Sequence, residues 1–195
     1  MTYVLVEENI FEEEIKKSRF IAIAQPVSSA SAAMEFFKQR SIAEARHNCW
    51  AYKVGEEYRF SDDGEPAGTA GRPILQAIEG QSCDYVAVLV IRWFGGIKLG
   101  TGGLARAYAG VTAECLRTAR KRKYVPTIVI TAFCPYAEIE RMKARFDDFS
   151  IHAEQEDFGA EGVQWQLRLP EQKVAAFEEL LKNMSSGQGW VKGPT

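Results

Sequence analysis

The chain has 195 residues, which is enough for one large domain or for two small domains with separate cores. Hydrophobic residues make up 46% and charged residues 26%, values typical of a globular protein that exclude a fibrous or disordered chain. The formal net charge of −2 is unevenly distributed, since residues 86–125 carry eight basic residues and one acid. This local excess of positive charge predicts an anionic partner.

No segment is typical of a signal peptide or a membrane span. The first 18 residues turn acidic after a few apolar residues, which is not the design of a signal peptide. The longest apolar run, residues 85–91, is far too short to cross a bilayer. The four cysteines are widely spaced and form no CxxC pair, which argues against disulfides or a structural zinc site. We therefore expect a cytoplasmic protein with no membrane partner, no cofactor and no metal.

The first half of the chain is predicted to mix strands and helices. Residues 3–6 and 19–24 are strand-like, and "SSASAAMEFFKQRS" predicts a serine-capped helix with Ala33, Met34 and Phe37 at helical spacing. "RHNCWAYKV" predicts a strand, "EYRFSDDGEPAGTAGRP" a loop, and "ILQAIEG" a short helix.

A buried strand and a long helix are predicted next. The apolar run "CDYVAVLVIRWF" is typical of a strand covered on both faces, and residues 104–121 predict a helix. The helix has a core-facing stripe formed by Leu104, Tyr108, Val111, Cys115 and Leu116.

The remaining segments follow the order β-α-β-β-α-β, which is the ferredoxin-like pattern. We expect an α+β protein with two domains, residues 1–126 and 127–195. Residues 1–126 contain 17 Lys and Arg against 15 Asp and Glu, whereas residues 127–195 contain 7 against 11.

The segment "RWFGGIKLGTGGLARAYAG" contains six of the 16 glycines. A P-loop is excluded because Thr101 and Gly102 stand where Lys and Ser or Thr are required, and the spacing fits a dinucleotide fold poorly. Two interpretations remain, a structural turn or a site where a helix N-terminus binds an anion. The candidate residues for the anion are Arg92, Gly95, Gly96, Lys98, Gly100, Gly102, Gly103 and Arg106.

Two other groups of residues each allow two interpretations. Asp62, Asp63 and Glu65 form either an exposed turn or a Mg²⁺ site. On the strand predicted from "RHNCWAYKV", His47 and Cys49 lie on the same face. Cys49 is either a small core residue or a nucleophile.

A basic cluster is predicted at the end of the long helix. Two interpretations are open for this cluster. Its positive charges either complement the helix dipole or, together with Trp93 and Phe94, contact RNA. Its members are Arg117, Arg120, Lys121, Arg122 and Lys123.

Three stretches, "HNCWAY", "DDGEPAGTAGRP" and "RWFGGIKLGTGGLARAY", together resemble the signature of the IMPACT family, also called UPF0029, in its bacterial YigZ-like form. The resemblance implies an N-terminal domain with the left-handed βαβ fold of elongation factor G domain IV. It also implies a second domain similar to domain V of that factor. The candidate surface carried by the resemblance is His47, Asn48, Cys49, Asp62, Asp63, Glu65, Arg92, Gly95, Gly96, Gly100 and Arg106.

The resemblance implies a binding protein associated with RNA or the ribosome that regulates translation. Eukaryotic relatives act in translational control through an extra N-terminal RWD domain, so their kinase-linked role is not carried over to this chain. The alternative is a phosphate-handling or hydrolytic enzyme that uses a cleft formed by His47, Asp62, Asp63 and the glycines. The sequence gives no indication of the oligomeric state.

Overall fold

The computed structural model describes residues 1–193, and its contacts divide the chain between Tyr124 and Val125. Sequence analysis places the domain boundary after Pro126. Both units combine helices with antiparallel sheet, so the predicted α+β class with two domains is confirmed. Within residues 1–193, no helix is both long enough and apolar enough to cross a membrane.

The first unit contains the segments that form the candidate site. Its elements are β1 (Tyr3–Leu5), β2 (Asn9–Ile15), β3 (Ser18–Pro26), α1 (Ala30–Arg40), β4 (His47–Val54), β5 (Glu57–Ser61), α2 (Gly71–Gly80), β6 (Val86–Trp93), α3 (Thr101–Thr118) and β7 (Lys121–Lys123).

A five-stranded antiparallel sheet with the order β2-β3-β6-β4-β5 forms the centre of this unit. The continuous apolar run places β6 in the middle, where every residue before Trp93 is buried. Helices α2 and α3 cover one face of the sheet, and α1 covers the other. The prediction of a strand covered on both faces is therefore confirmed.

The helix α3 buries the predicted stripe completely, since its five members are at most 7% exposed. Burial of large apolar side chains such as these stabilises the fold by about 1.5–3 kcal/mol each. In α1, Ala33 and Phe37 are buried, whereas Met34 is 39% exposed and Phe36 packs into the core. Ser29 caps α1 by accepting a hydrogen bond from the Ala32 N–H.

Three features of this unit differ from the sequence predictions. The strand β2 was not predicted, and β5 lies inside the expected loop. Both are edge strands whose residues are all exposed or half-buried. The helix α3 ends at Thr118, so the basic residues do not form a helix end. Lys121–Lys123 form β7 instead, because they pair with Tyr3–Leu5 across the chain.

The second unit has the predicted order of elements. They are β8 (Thr127–Pro135), α4 (Ile139–Lys143), α5 (Phe146–Phe149), β9 (His152–Phe158), β10 (Gly162–Pro170), α6 (Val174–Met184) and β11 (Trp190–Lys192). The antiparallel sheet order β11-β8-β10-β9 is that of a ferredoxin-like fold. The first predicted helix is divided between α4 and α5, which a 3₁₀ turn precedes.

Candidate functional site

An open cleft of about 400 Å³ lies where the three signature stretches meet in the first unit. It is lined by residues from the start of β4, the loop after β5, the end of β6 and the start of α3. We call residues 95–100, between β6 and α3, the glycine loop. The residues that line the cleft include Arg46, His47, Glu65, Arg92, Phe94, Lys98 and Gly100.

Strand pairing places His47 beside Arg92. The two residues are direct register partners in the antiparallel ladder between β4 and β6. Cys49 and Val90, two positions further along each strand, pack under α2 and α3, so His47 and Arg92 lie on that same face. Trp50 packs on the opposite face, which confirms the predicted alternation of this strand.

A buried carboxylate organises the floor of the cleft. Glu65 Oε1 accepts hydrogen bonds from Arg92 Nη1 at 2.6 Å and from the Tyr108 hydroxyl at 2.8 Å. The side chains of Glu65 and Arg92 are only 3% and 5% exposed. Such a pair gains little net stability from its own attraction, but losing either partner leaves an uncompensated buried charge.

His47 is held in a defined orientation next to this pair. Its Nδ1 lies 2.9 Å from the carbonyl oxygen of Asp63, and because a carbonyl only accepts, Nδ1 carries the proton. The other ring nitrogen, Nε2, lies 3.8 Å from Glu65 Oε1. This second distance is too long for a hydrogen bond, so the contact with the Asp63 carbonyl is the one that orients the ring.

Cys49 is buried behind the cleft and does not line it. Its thiol donates to the carbonyl oxygen of Asp62 at 3.0 Å and lies 3.4 Å from the Tyr108 hydroxyl. Burial, reinforced by the neighbouring carboxylates, raises the pKa of Cys49 to about 12. The thiol is therefore protonated near neutral pH, which agrees with a structural residue and not with an activated nucleophile.

The two aspartates of the loop after β5 bind backbone groups and, unlike Glu65, do not line the cleft. Asp62 accepts from the N–H groups of Gly68, Ala70 and Gly71, where α2 begins. Asp63 accepts from the Asn48 N–H at 2.5 Å. The expected cleft formed by His47, Asp62 and Asp63 is thus wrong for both aspartates, since their side chains are engaged in holding the loop.

Asn48 also has a local role. Its side-chain amide donates to the carbonyl oxygen of Ile42 and accepts from the N–H of the same residue. The pair of hydrogen bonds fixes the segment between α1 and β4. Asn48 therefore positions the residues before His47 and is not among the residues that line the cleft.

The glycine loop is shaped by a close approach and by unusual backbone angles. A Cβ at Gly95 would overlap the carbonyl oxygen of Lys17, so the β2–β3 turn packs directly on this residue. Gly96 and Gly100 have φ values of +88° and +74°, a region that L side chains rarely adopt. The structural interpretation of the glycines therefore applies to these three positions.

The first turn of α3 offers backbone N–H groups without a capping side chain. The N-cap residue is Gly100, which has no side chain that could accept a hydrogen bond from these N–H groups. The first turn also contains no acidic residue. Gly102 and Gly103 lie in this turn. The N–H groups at a helix N-terminus carry partial positive charge and attract anions.

Two exposed cations flank this helix start. Among residues 1–193, neither Arg46 nor Lys98 forms an ion pair. Phe94 is 41% exposed, and the Arg46 guanidinium lies 5.9 Å from its ring. The cleft thus combines exposed positive charge with a partly exposed aromatic ring.

Four basic candidates lie outside the cleft. Arg106 lines a neighbouring groove, described below. Arg120, Lys121 and Arg122 follow the C-terminal end of α3, and an 18-residue helix is about 27 Å long. The structure does not bring these three residues to the cleft. Trp93 is only partly exposed and packs against Arg19, 5.2 Å from its guanidinium.

Sequence reasoning missed Arg46 and the polar role of Tyr108. Arg46 directly precedes the signature stretch, and its charge alone gave no indication that it faces the cleft. Tyr108 was assigned to the apolar stripe, where it does lie, but its hydroxyl binds Glu65. The usable signal was that a buried tyrosine requires a hydrogen-bond partner.

The fold and the cleft define a two-domain α+β protein with a cationic cleft at a strand–helix junction. Residues 16–116 match the family model "Impact N-terminal domain", and residues 133–188 match the model "Domain of unknown function (DUF1949)". The chain belongs to the IMPACT family.

Relatives of nearly equal length support this assignment. A Thermus thermophilus protein described as "IMPACT family member in pol 5'region" is 43% identical over 180 residues, 92% of this chain and 99% of that one. The Escherichia coli "IMPACT family member YigZ" is 37% identical over 185 residues, 90% and 89% of the two chains. A crystal structure described as that of a hypothetical protein superposes with a TM-score of 0.73 at 33% identity, covering 100% and 97%.

Proposed function

We propose that the protein binds single-stranded RNA through the cleft and acts in translation as an RNA- or ribosome-associated factor. The observation that carries the proposal is that two exposed cations, Arg46 and Lys98, lie beside the start of α3 and form no ion pair among residues 1–193. This arrangement complements a phosphate, and the exposed ring of Phe94 can stack on a base.

Charge distribution supports the same assignment. The basic residues concentrate in residues 86–125 of the first unit, whereas residues 127–195 are acidic. Membership of the IMPACT family is consistent with a role in translation. Arg120, Lys121 and Arg122 are a second candidate contact, and the test below separates them from the cleft.

Binding of fluorescein-labelled decauridylate, followed by anisotropy at several salt concentrations, tests the proposal. The variant Arg46→Gln/Lys98→Gln should bind about tenfold more weakly than the wild type. Its plot of log affinity against log salt should be shallower by about 1.4, because two phosphate contacts on a single strand are lost. Co-sedimentation with ribosomes should fall in parallel.

The matched control, Arg120→Gln/Arg122→Gln, removes the same charge at the other end of α3. Loss of affinity in the control but not in the cleft variant would overturn the cleft as the binding site. A wild type that ignores both RNA and ribosomes at low salt would overturn RNA binding. The phosphate-handling enzyme would then be favoured, with the oriented His47 ring as its candidate general base.

A further inference from the structure

A second groove of about 350 Å³ adjoins the cleft. One wall comes from the β2–β3 hairpin and contains Glu13 and Lys16, and the other comes from α3 and contains Gly103 and Arg106. Leu99 lines both the cleft and this groove, so the two depressions share a wall.

This groove adds two exposed cations to the two in the cleft. Among residues 1–193, Lys16 and Arg106 form no ion pair, and Glu13 is the one acid that lines the groove. A Cβ placed on Gly102 would lie 3.5 Å from Arg106 Nη1, so this guanidinium lies beside the first turn of α3. Cations therefore flank that turn on both sides.

The hairpin turn holds Lys16 next to the glycine loop. Lys16 and Lys17 occupy the two-residue turn with φ values of +47° and +63°, where Asn-Gly is the preferred sequence. The Lys17 carbonyl packs on Gly95, which seats the tip of the hairpin against the loop. The position of Lys16 is thus fixed by backbone packing.

We propose that the groove continues the RNA-binding surface, so that the strand crosses the first turn of α3 from Arg46 and Lys98 to Lys16 and Arg106. This inference rests on the proposed function and deepens it. A polynucleotide repeats its phosphates along the chain and can engage both pairs of cations. We expect a dinucleotide to occupy the cleft alone, so the affinity should rise with length until the strand reaches the groove.

Oligouridylates of increasing length, from diuridylate to decauridylate, test the path with the full chain. The variant Lys16→Asn/Arg106→Gln keeps a residue that tolerates the left-handed turn and a good helix former. It should bind decauridylate about tenfold more weakly than the wild type and diuridylate almost unchanged. The salt slope for decauridylate should become shallower by about 1.4.

A change of opposite sign provides the second measurement. Glu13→Gln removes the acid from the groove and should strengthen binding of decauridylate without affecting diuridylate. Equal losses on short and long strands in the Lys16 and Arg106 variant, or no loss on either, would overturn the path while leaving the proposed function intact. A wild type that binds no oligouridylate of any length would overturn both.

Discussion

At the scale of single residues, Glu65 holds together the polar floor of the cleft. Its Oε1 accepts from Arg92 and Tyr108 and lies near His47. The guanidinium of Arg92 also lies 5.6 and 5.7 Å from the centroids of two aromatic rings. Its Nη2 reaches the Ser18 hydroxyl at 3.4 Å, and Nε has no hydrogen-bond partner in the described structure. Arg92 therefore depends on Glu65 for compensation of its buried charge.

Replacing Glu65 by alanine should lower the free energy of unfolding by about 3–5 kcal/mol, because the Arg92 charge is left buried and unpaired. The double variant Glu65→Ala/Arg92→Met should recover part of this loss, since no charge then remains. Urea denaturation of the three proteins measures both effects.

The exposed Glu114–Arg117 pair on α3 is the matched control for this prediction. Glu114→Gln should change the unfolding free energy far less than Glu65→Ala, because solvent screens a pair on the surface. If the double variant is no more stable than Glu65→Ala, the uncompensated charge of Arg92 is not the reason for the loss.

The sequence could predict that Asp62, Asp63 and Glu65 lie together, but not which of them faces inward. Asp63 and Gly64 have φ values of +40° and +79°, and this reversal sends the following Glu65 into the interior. Asp62 remains behind and binds the start of α2. The sequence does not distinguish these three carboxylates, because only the backbone turn determines which of them points into the interior.

At the scale of elements, the glycines around the start of α3 differ in how closely neighbouring segments pack against them. Gly95 lies against the Lys17 carbonyl of the β2–β3 hairpin and leaves no room for a Cβ. Gly110, in the middle of α3, has open space where a Cβ would be. The two glycines are equally conspicuous in the sequence but have different structural consequences.

Alanine substitution should therefore act in opposite directions at these two positions. Gly95→Ala should destabilise the protein by about 2–3 kcal/mol, because the new methyl group overlaps the Lys17 carbonyl. Gly110→Ala should stabilise it by about 1 kcal/mol, the difference in helix propensity. Thermal and urea unfolding measure both changes, and a stabilising Gly95→Ala would show that the hairpin can move away.

Elements with a buried face were predictable, and elements that depend on distant partners were not. Strand β6 and helix α3 each carry an apolar pattern that the structure confirms. The basic segment after Thr118 has good helix formers, yet pairing with Tyr3–Leu5 makes it a strand. Local propensity could not anticipate a partner more than 100 residues away along the chain.

At the scale of the whole molecule, each unit has its own core. Two buried clusters cover the faces of the five-stranded sheet, and a third cluster lies under the helices of the second unit. The order of elements was sufficient to predict two α+β domains. All the residues proposed to contact RNA belong to the first unit.

A fragment of residues 1–124 should therefore fold alone and bind decauridylate with the affinity of the full chain, within about twofold. A fragment of residues 125–195 should fold but not bind. Circular dichroism checks folding, and anisotropy checks binding. Binding that requires both fragments would place part of the RNA surface on the second unit.

The ladder between β1 and β7 has a topological consequence for the first unit. Tyr3 pairs with Lys123, and the Tyr124 N–H donates to the carbonyl oxygen of Thr2 at 2.9 Å, so the unit begins and ends at the same place. A domain whose ends lie side by side can be inserted into a loop of another protein without forcing the two ends of that loop apart. For the same reason it can be circularly permuted with a short linker. The first unit could therefore be inserted into another protein at a single loop, and the cleft at the start of α3 would remain intact.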